Sequence, residues 1–146
     1  NNNNNTNSNN SNTTILERIE TAIVPDDGES IRQKLLEWTN TSSSSSSCSR
    51  VDMILTTGGT GFSPRDVTPE ATNSVLEQSC EGLMAFCGLQ TIGDQPLAAL
   101  SRGTAGIRNG TLVANLPGNP QAVRELVPVF LPLALRAVAD LKKAQS

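Results

Sequence analysis

The densest run of chemistry-bearing residues lies between Thr56 and Thr72 and reads TTGGTGFSPRDVTPEAT. Gly58, Gly59 and Gly61 follow a short apolar run. Glycine takes positive φ without a Cβ penalty and lets a ligand approach the backbone closely. Successive amides in such a turn form a cradle for an anion. Thr57 and Thr60 add hydroxyls, and Arg65 adds a guanidinium able to grip a phosphate through two parallel hydrogen bonds. Thr68-Pro69-Glu70 has the order of a helix start, with Thr68 as cap. That helix would turn the positive end of its dipole toward the cradle. Asp66 is the odd member, because a carboxylate repels a bare phosphate. Its presence makes sense if it holds Mg²⁺ or orients a nucleophile. The same residues also describe a plain glycine turn with a solvated Arg and Asp. The string is neither a Walker loop, since no Gly-Lys-Ser/Thr occurs, nor a dinucleotide GxGxxG.

Composition narrows the chemistry further. The 146 residues contain no histidine, which removes a His base, a His metal ligand and every Ser-His or Cys-His dyad. Eleven basic against 14 acidic residues give a net charge of -3, the wrong balance for non-specific nucleic-acid binding. Cys48, Cys80 and Cys87 have no zinc or CxxC spacing. They read as small apolar residues of a reducing compartment. No signal-peptide pattern and no apolar run of membrane-spanning length is present, so the expectation is a soluble cytosolic protein without membrane or nucleic-acid partners.

These residues need a scaffold. Residues 1–14 are nearly all Asn, Ser and Thr, and a serine run interrupts residues 40–50. Neither tract has apolar side chains to offset the entropy of ordering, so both read as disordered, leaving a domain over residues 15–143. Ile19, Thr21 and Ile23 alternate as in a strand, and Pro25-Asp26-Asp27-Gly28 closes it. Ser30 then stands as an N-cap, with Ile31, Leu35 and Trp38 on one helical face. Val51–Thr57 reads as a strand covered on both faces. Ala71, Val75 and Leu76 form the buried face of the helix starting at Thr68, and further helical turns are expected around 82–89 and 95–101. Asn109-Gly110 marks a two-residue hairpin. Leu116-Pro117-Gly118-Asn119-Pro120 turns into a last helix, whose stripe runs from Val123 to Leu141. Pro128 and Pro132 lie off that stripe, and an interior proline costs about 3 kcal/mol, so a kink or break is expected near Val127-Pro128. The sum is a three-layer α/β/α fold with a mostly parallel sheet, a C-terminal hairpin and a long helix. The glycine loop then falls at the carboxyl ends of the strands, where such sheets bind ligands.

Taken whole, TTGGTGFSPRDVTPEAT resembles the signature of the molybdopterin adenylyltransferase domain family, found in bacterial adenylyltransferases, in the plant two-domain cofactor enzyme and at the N-terminus of gephyrin. The resemblance continues through Leu100-Ser101-Arg102, Ala105-Gly106-Ile107-Arg108, Leu116–Pro120 and the last helix. It covers nearly all of residues 15–143 outside the serine run. It implies transfer of AMP from ATP to the terminal phosphate of molybdopterin, with Mg²⁺ and release of pyrophosphate, in molybdenum cofactor synthesis. Asp66 matches the family's catalytic acid and, by the resemblance, would be the Mg²⁺ ligand. Thr57, Gly58, Gly59, Thr60, Gly61, Arg65 and Thr68 would line the substrate pocket. Ser101 and Arg102 would reach in from the facing loop, and Pro117, Gly118 and Asn119 would close the floor. The plain alternatives are Ser101 as a helix terminator, Arg102 and Arg108 as solvated charges, and Asn119 as an N-cap.

The sequence departs from the family at its start. The family's first strand, its loop and its helix have no counterpart, and the Asn-rich tract has no apolar face to replace them. In the family that strand lies between those matching Ile19–Val24 and Val51–Thr56, so a gap or a re-pairing is expected. A fragment of a longer protein, a unit supplied in trans and a decayed domain are the three explanations, the first being preferred. A homotrimer is implied by resemblance alone, as is a molybdate-inserting domain or protein as partner. The rival to the enzyme is a non-catalytic molybdopterin-binding or assembly module. The molybdate-inserting type shares a Pro-Gly-Asn-Pro-like turn, but Thr57–Thr68 and Ala105–Arg108 favour the adenylylating type.

Overall fold

The computed structural model describes residues 18–40, 51–93 and 96–145. The Asn-rich tract, the serine run and Cys48 lie outside them. Four helices, four strands and one 3₁₀ turn follow in the order α1 (Gly28–Thr39), β1 (Met53–Thr57), α2 (Thr68–Asn73), β2 (Gln78–Ser79), α3 (Glu81–Thr91), the 3₁₀ turn Pro96–Leu100, β3 (Ala105–Arg108), β4 (Thr111–Leu116) and α4 (Pro120–Ala144).

The strands form one sheet in the order β1-β4-β3-β2. β1 runs parallel to β4 in the register Met53↔Leu112 to Thr57↔Leu116. β3 and β4, and β2 and β3, are antiparallel. The described sheet is thus mixed where a mostly parallel one is expected. β4 is buried along its whole length and divides the core by alternation. Leu112, Ala114 and Leu116 pack with Leu126, Phe130 and Ala134 of α4 and Cys87 of α3. Val113 and Ile54 pack on the other face with Leu35 of α1 and Val75 after α2. Three layers follow, as the apolar periods predict.

Several local expectations are corrected. Residues 18–25 form no strand, and Ile19 and Ile23 are exposed. Alternation gives a strand its faces but not a partner, and an unpaired strand gains no ladder bonds. The cap of α1 is Asp27, whose carboxylate accepts from Ser30 N–H at 2.8 Å and from the Ser30 hydroxyl at 2.7 Å, so Ser30 is the partner of the cap. These bonds, side chain first, hold Asp27 below the usual carboxylate range. Helix α2 is capped by Val67, with Thr68 already its first residue and no side-chain cap bond. It is only six residues long, so Val75 and Leu76 pack from beyond its end. Helix α4 runs unbroken through Pro128 and Pro132. Both prolines are exposed and four residues apart, so the carbonyls they orphan, those of Arg124 and Pro128, share one solvent-side stripe. The buried stripe on the opposite face holds the helix together. Among the described residues no helix is long and apolar enough to cross a membrane.

The hairpin forms as predicted: Asn109 and Gly110 have φ of 47° and 72°, the pair of positive values a tight primed turn requires.

Candidate functional site

Strand β1 delivers the glycine loop at its carboxyl end. Gly58 N–H donates to Leu116 C=O at 3.2 Å, continuing the ladder by one step. Gly58 (φ 93°) and Gly59 (φ 64°) then reverse the chain. A Cβ on Gly59 would overlap the Thr68 hydroxyl, and Thr68 N–H donates to Gly59 C=O at 3.1 Å. Thr68 therefore closes the loop from behind rather than facing a ligand.

The rest of the loop is held by Arg102. Its backbone N–H donates to Thr60 C=O at 2.8 Å. Its Nε donates to Gly61 C=O at 2.8 Å and Nη2 to Asp66 C=O at 2.6 Å, while Nη1 pairs with the Glu70 carboxylate. One side chain thus ties the glycine loop, the Asp66 turn and α2 together. The Arg102 hydrogen bond, ahead of the backbone bond, keeps the Glu70 carboxyl below its usual range.

Asp66 is locally organised. Its Oδ2 accepts from Ser63 N–H at 3.0 Å, and its own N–H donates to Ser63 C=O at 2.8 Å. The carboxylate lies so close to Gly61 that a Cβ there would stand 2.9 Å from Oδ2.

The opposite wall is the turn into α4. The Thr57 hydroxyl donates to Pro117 C=O at 2.8 Å, and a Cβ on Gly118 would stand 3.0 Å from Gly58 Cα. The two turns touch backbone to backbone. Asn119 caps α4, its Oδ1 accepting from Gln121 N–H at 2.8 Å and Ala122 N–H at 3.3 Å. The Ser101 hydroxyl lies 3.5 Å from that of Thr60.

Between these walls is a cleft of about 430 Å³. Gly59, Thr60, Gly61, Asp66, Ser101, Pro117, Gly118 and Asn119 line it, so eight of the thirteen expected site residues converge. Five do not. Thr57 and Gly58 support the wall from outside, Thr68 backs the loop, and Arg102 is spent on main-chain carbonyls and Glu70. Arg65 is largely exposed and pairs with Asp26 at 3.3 Å. Two features escape a sequence reading. Glu125 of α4 also lines the cleft, beside an apolar wall of Met84, Leu97, Leu100 and Leu126. Asn115 lies fully buried behind the loop, its Nδ2 donating to the Thr56 and Thr72 hydroxyls at 2.9 Å each. A polar residue amid the apolar TLVANL of β4 is the signal that could have found Asn115.

The described lining has two carboxylates and no Lys or Arg. An anion entering here meets backbone amides and hydroxyls, and any countercharge must come with it. Among the described residues no three His, Cys, Asp or Glu side chains cluster as a metal cage. Asp66 alone fits Mg²⁺, which commonly takes one or two carboxylates and completes its shell with substrate phosphates and water.

Residues 8–137 match the family described as the probable molybdopterin binding domain. The molybdenum cofactor synthesis protein cinnamon of Drosophila melanogaster is 44% identical over 121 residues, covering 81% of this chain and 19% of that protein. The molybdopterin adenylyltransferase of Helicobacter pylori is 43% identical over 81 residues, 56% of this chain and 46% of that one. This chain thus spans less than half the length of either relative. Among solved structures, the molybdopterin biosynthesis enzyme MoaB of Thermus thermophilus superposes with a TM-score of 0.69 at 40% identity, covering 80% of this chain and 69% of that one.

Proposed function

The chain belongs to the molybdopterin-binding domain family, and from that premise we propose that it serves molybdenum cofactor synthesis by adenylylating molybdopterin. The observation that carries this reading is the convergence of the glycine loop, Asp66, Ser101 and Pro117–Asn119, from three separate stretches of sequence, on one cleft.

In this reading the terminal phosphate of molybdopterin lies against the amides of Gly59–Gly61. One of its oxygens attacks the α-phosphorus of ATP, a new P–O bond forms, and the bond to pyrophosphate breaks. The nucleophile is already an anion, so no histidine base is needed. Binding and orientation supply the catalysis. Thr60 and Ser101 offer hydroxyls to the phosphate. Asp66 would hold Mg²⁺, which supplies charge neutralisation at the phosphates. Leu97, Leu100, Met84 and Leu126 offer an apolar wall for a flat heterocycle. A cytosolic site and a homotrimer belong to the same reading.

The second reading is a module that binds molybdopterin without turnover. Among the described residues, 18–25 form no strand, and that observation favours it. Asp66→Ala separates the two. As an enzyme, the variant loses formation of adenylyl-molybdopterin by at least about 100-fold while binding molybdopterin within a few-fold of the parent. Equal and negligible turnover in parent and variant, with binding intact, would favour the module.

A further inference from the structure

The cleft holds a carboxylate that phosphate chemistry does not explain. Asn119, Ala122, Glu125 and Leu126 all line it. Their spacing of i, i+3, i+6 and i+7 places them on one face of α4, so that face runs along the cleft. Glu125 stands six residues beyond Asn119, about 9 Å further along the helix at 1.5 Å per residue. It is half-buried and shares the lining with the apolar side chains of Met84, Leu97 and Leu126.

A carboxylate in this place repels any ligand that carries phosphate, and the described lining has no Lys or Arg to offset it. It favours binding only through a cation or through N–H donors. Asp66 belongs to the glycine loop at the phosphate end, and among the described residues no three His, Cys, Asp or Glu side chains gather as a metal cage. Donors on the ligand are the chemistry that fits. Gln121 Nε2 donates to Glu125 Oε1 at 2.6 Å from one turn back along the helix, which orients the carboxylate. A carboxylate has about four lone-pair sites, so it can accept further bonds.

We infer that Glu125 reads the aminopyrimidinone edge of the pterin, accepting from its 2-amino group and the adjoining ring N–H, and so tells the pterin from adenine. This rests on the proposed function and names the residue that orients its substrate. The two substrates of that reaction are each a flat heterocycle joined to phosphate, and an apolar wall alone separates such shapes poorly. Their hydrogen-bonding edges differ. The pterin presents two N–H donors side by side, matched to the two oxygens of a carboxylate. Adenine presents an amino donor beside a bare ring nitrogen, whose lone pair a carboxylate repels. With the terminal phosphate at Gly59–Gly61, next to the turn that ends in Asn119, the far edge of the pterin lies about one and a half helical turns along α4, which is where Glu125 stands.

The test is fluorescence titration of the 146-residue chain with 6-hydroxymethylpterin and with 6-hydroxymethyllumazine, which has a carbonyl oxygen in place of the 2-amino group, in a buffer that keeps both heterocycles neutral. The parent is expected to bind the pterin about 10- to 100-fold more tightly. Glu125→Gln should bind the lumazine at least as well as the pterin, because its amide donates to the lumazine carbonyl and accepts from the ring N–H. Glu125→Ala should bind the two alike. Excess EDTA should leave the parent's preference unchanged. A parent without preference overturns the inference, as does a Glu125→Gln variant that keeps the parent's preference. A preference that EDTA abolishes overturns it too, since Glu125 would then be a metal ligand. Formation of adenylyl-molybdopterin by the same parent separates the failures. Turnover without edge preference removes only the role of Glu125, whereas neither pterin binding nor turnover removes the proposed function with it.

Discussion

Arg102 reaches Asp66 through the main chain: its Nη2 donates to the Asp66 carbonyl at 2.6 Å, leaving the carboxylate to Ser63 and the cleft. The arginine therefore shapes the site without entering it. Arg102→Ala removes two charge-assisted bonds to carbonyls, each contributing roughly 1.5–3 kcal/mol, and the pair with Glu70. We expect a loss of about 2–4 kcal/mol in chemical denaturation and a fall in adenylylation larger than the fall in pterin affinity. Arg102→Lys should recover less than half of either, because a single ammonium cannot serve three acceptors from a planar fork. Full recovery by lysine would contradict this role.

Glu70 gives the clamp a pH dependence. Its folded-state carboxyl is held below the usual 4.5, first by the Arg102 hydrogen bond. A depressed acid contributes stability that is complete above its unfolded value and lost as pH falls through its folded value. Thermal stability should therefore decline below about pH 4.5 with a component that Glu70→Gln abolishes. Glu70 is more than half exposed, so the component is small. Denaturation midpoints of both proteins from pH 7 to 3 would show it, and parallel curves would exclude it.

Asn115 is the hidden brace of the glycine loop. Its amide joins Thr56 of β1 to Thr72 of α2 and accepts from Thr104 N–H at 3.3 Å, with no exposed surface. Asn115→Leu leaves the hydroxyl of buried Thr72 without its donor and the half-buried Thr104 amide without its acceptor. A buried unsatisfied group costs about 1–3 kcal/mol, and the larger side chain adds overpacking of similar size. We expect roughly 2–5 kcal/mol of destabilisation by urea titration.

Gly59→Ala tests the turn itself. The methyl meets the Thr68 hydroxyl, and alanine at φ 64° costs about 1–2 kcal/mol from backbone alone. Ligand affinity should fall along with Tm. Gly82→Ala is the control: its Cβ meets nothing, it does not line the cleft, and within α3 alanine is the better helix former.

What the sequence discloses here is whatever depends on one residue's own backbone. Asn109-Gly110 and Gly58-Gly59 announce their positive φ, and Asn119 announces its cap. Partnership is harder to see. Arg65 and Arg102 have the same side chain, yet one turns to Asp26 in solvent and the other to three groups behind the cleft. Ile19–Val24 has a strand's alternation without a neighbour to pair with. Gln78-Ser79 has a neighbour, β3, without any strand-like composition. Pro128 and Pro132 carry a cost of their own, whereas the outcome depends on the opposite face of the helix, anchored by Phe130. Glu125 lies one residue from the apolar stripe, and only the position of α4 beside the glycine loop makes it part of the cleft.

The pairing of β1 with β4 also sets an order of assembly. The hairpin of β3 and β4 closes through two residues, a local event on the microsecond scale. The Thr57–Pro117 contact joins residues 60 positions apart, and such closures wait until loop entropy has been overcome. Folding should therefore begin at the hairpin with α4 docked against it and end with β1 seating beside β4. The cleft, which exists only between β1's loop and the α4 turn, is then last to appear during refolding and first to open on unfolding. Ligand capture in a refolding experiment should lag the recovery of helical signal.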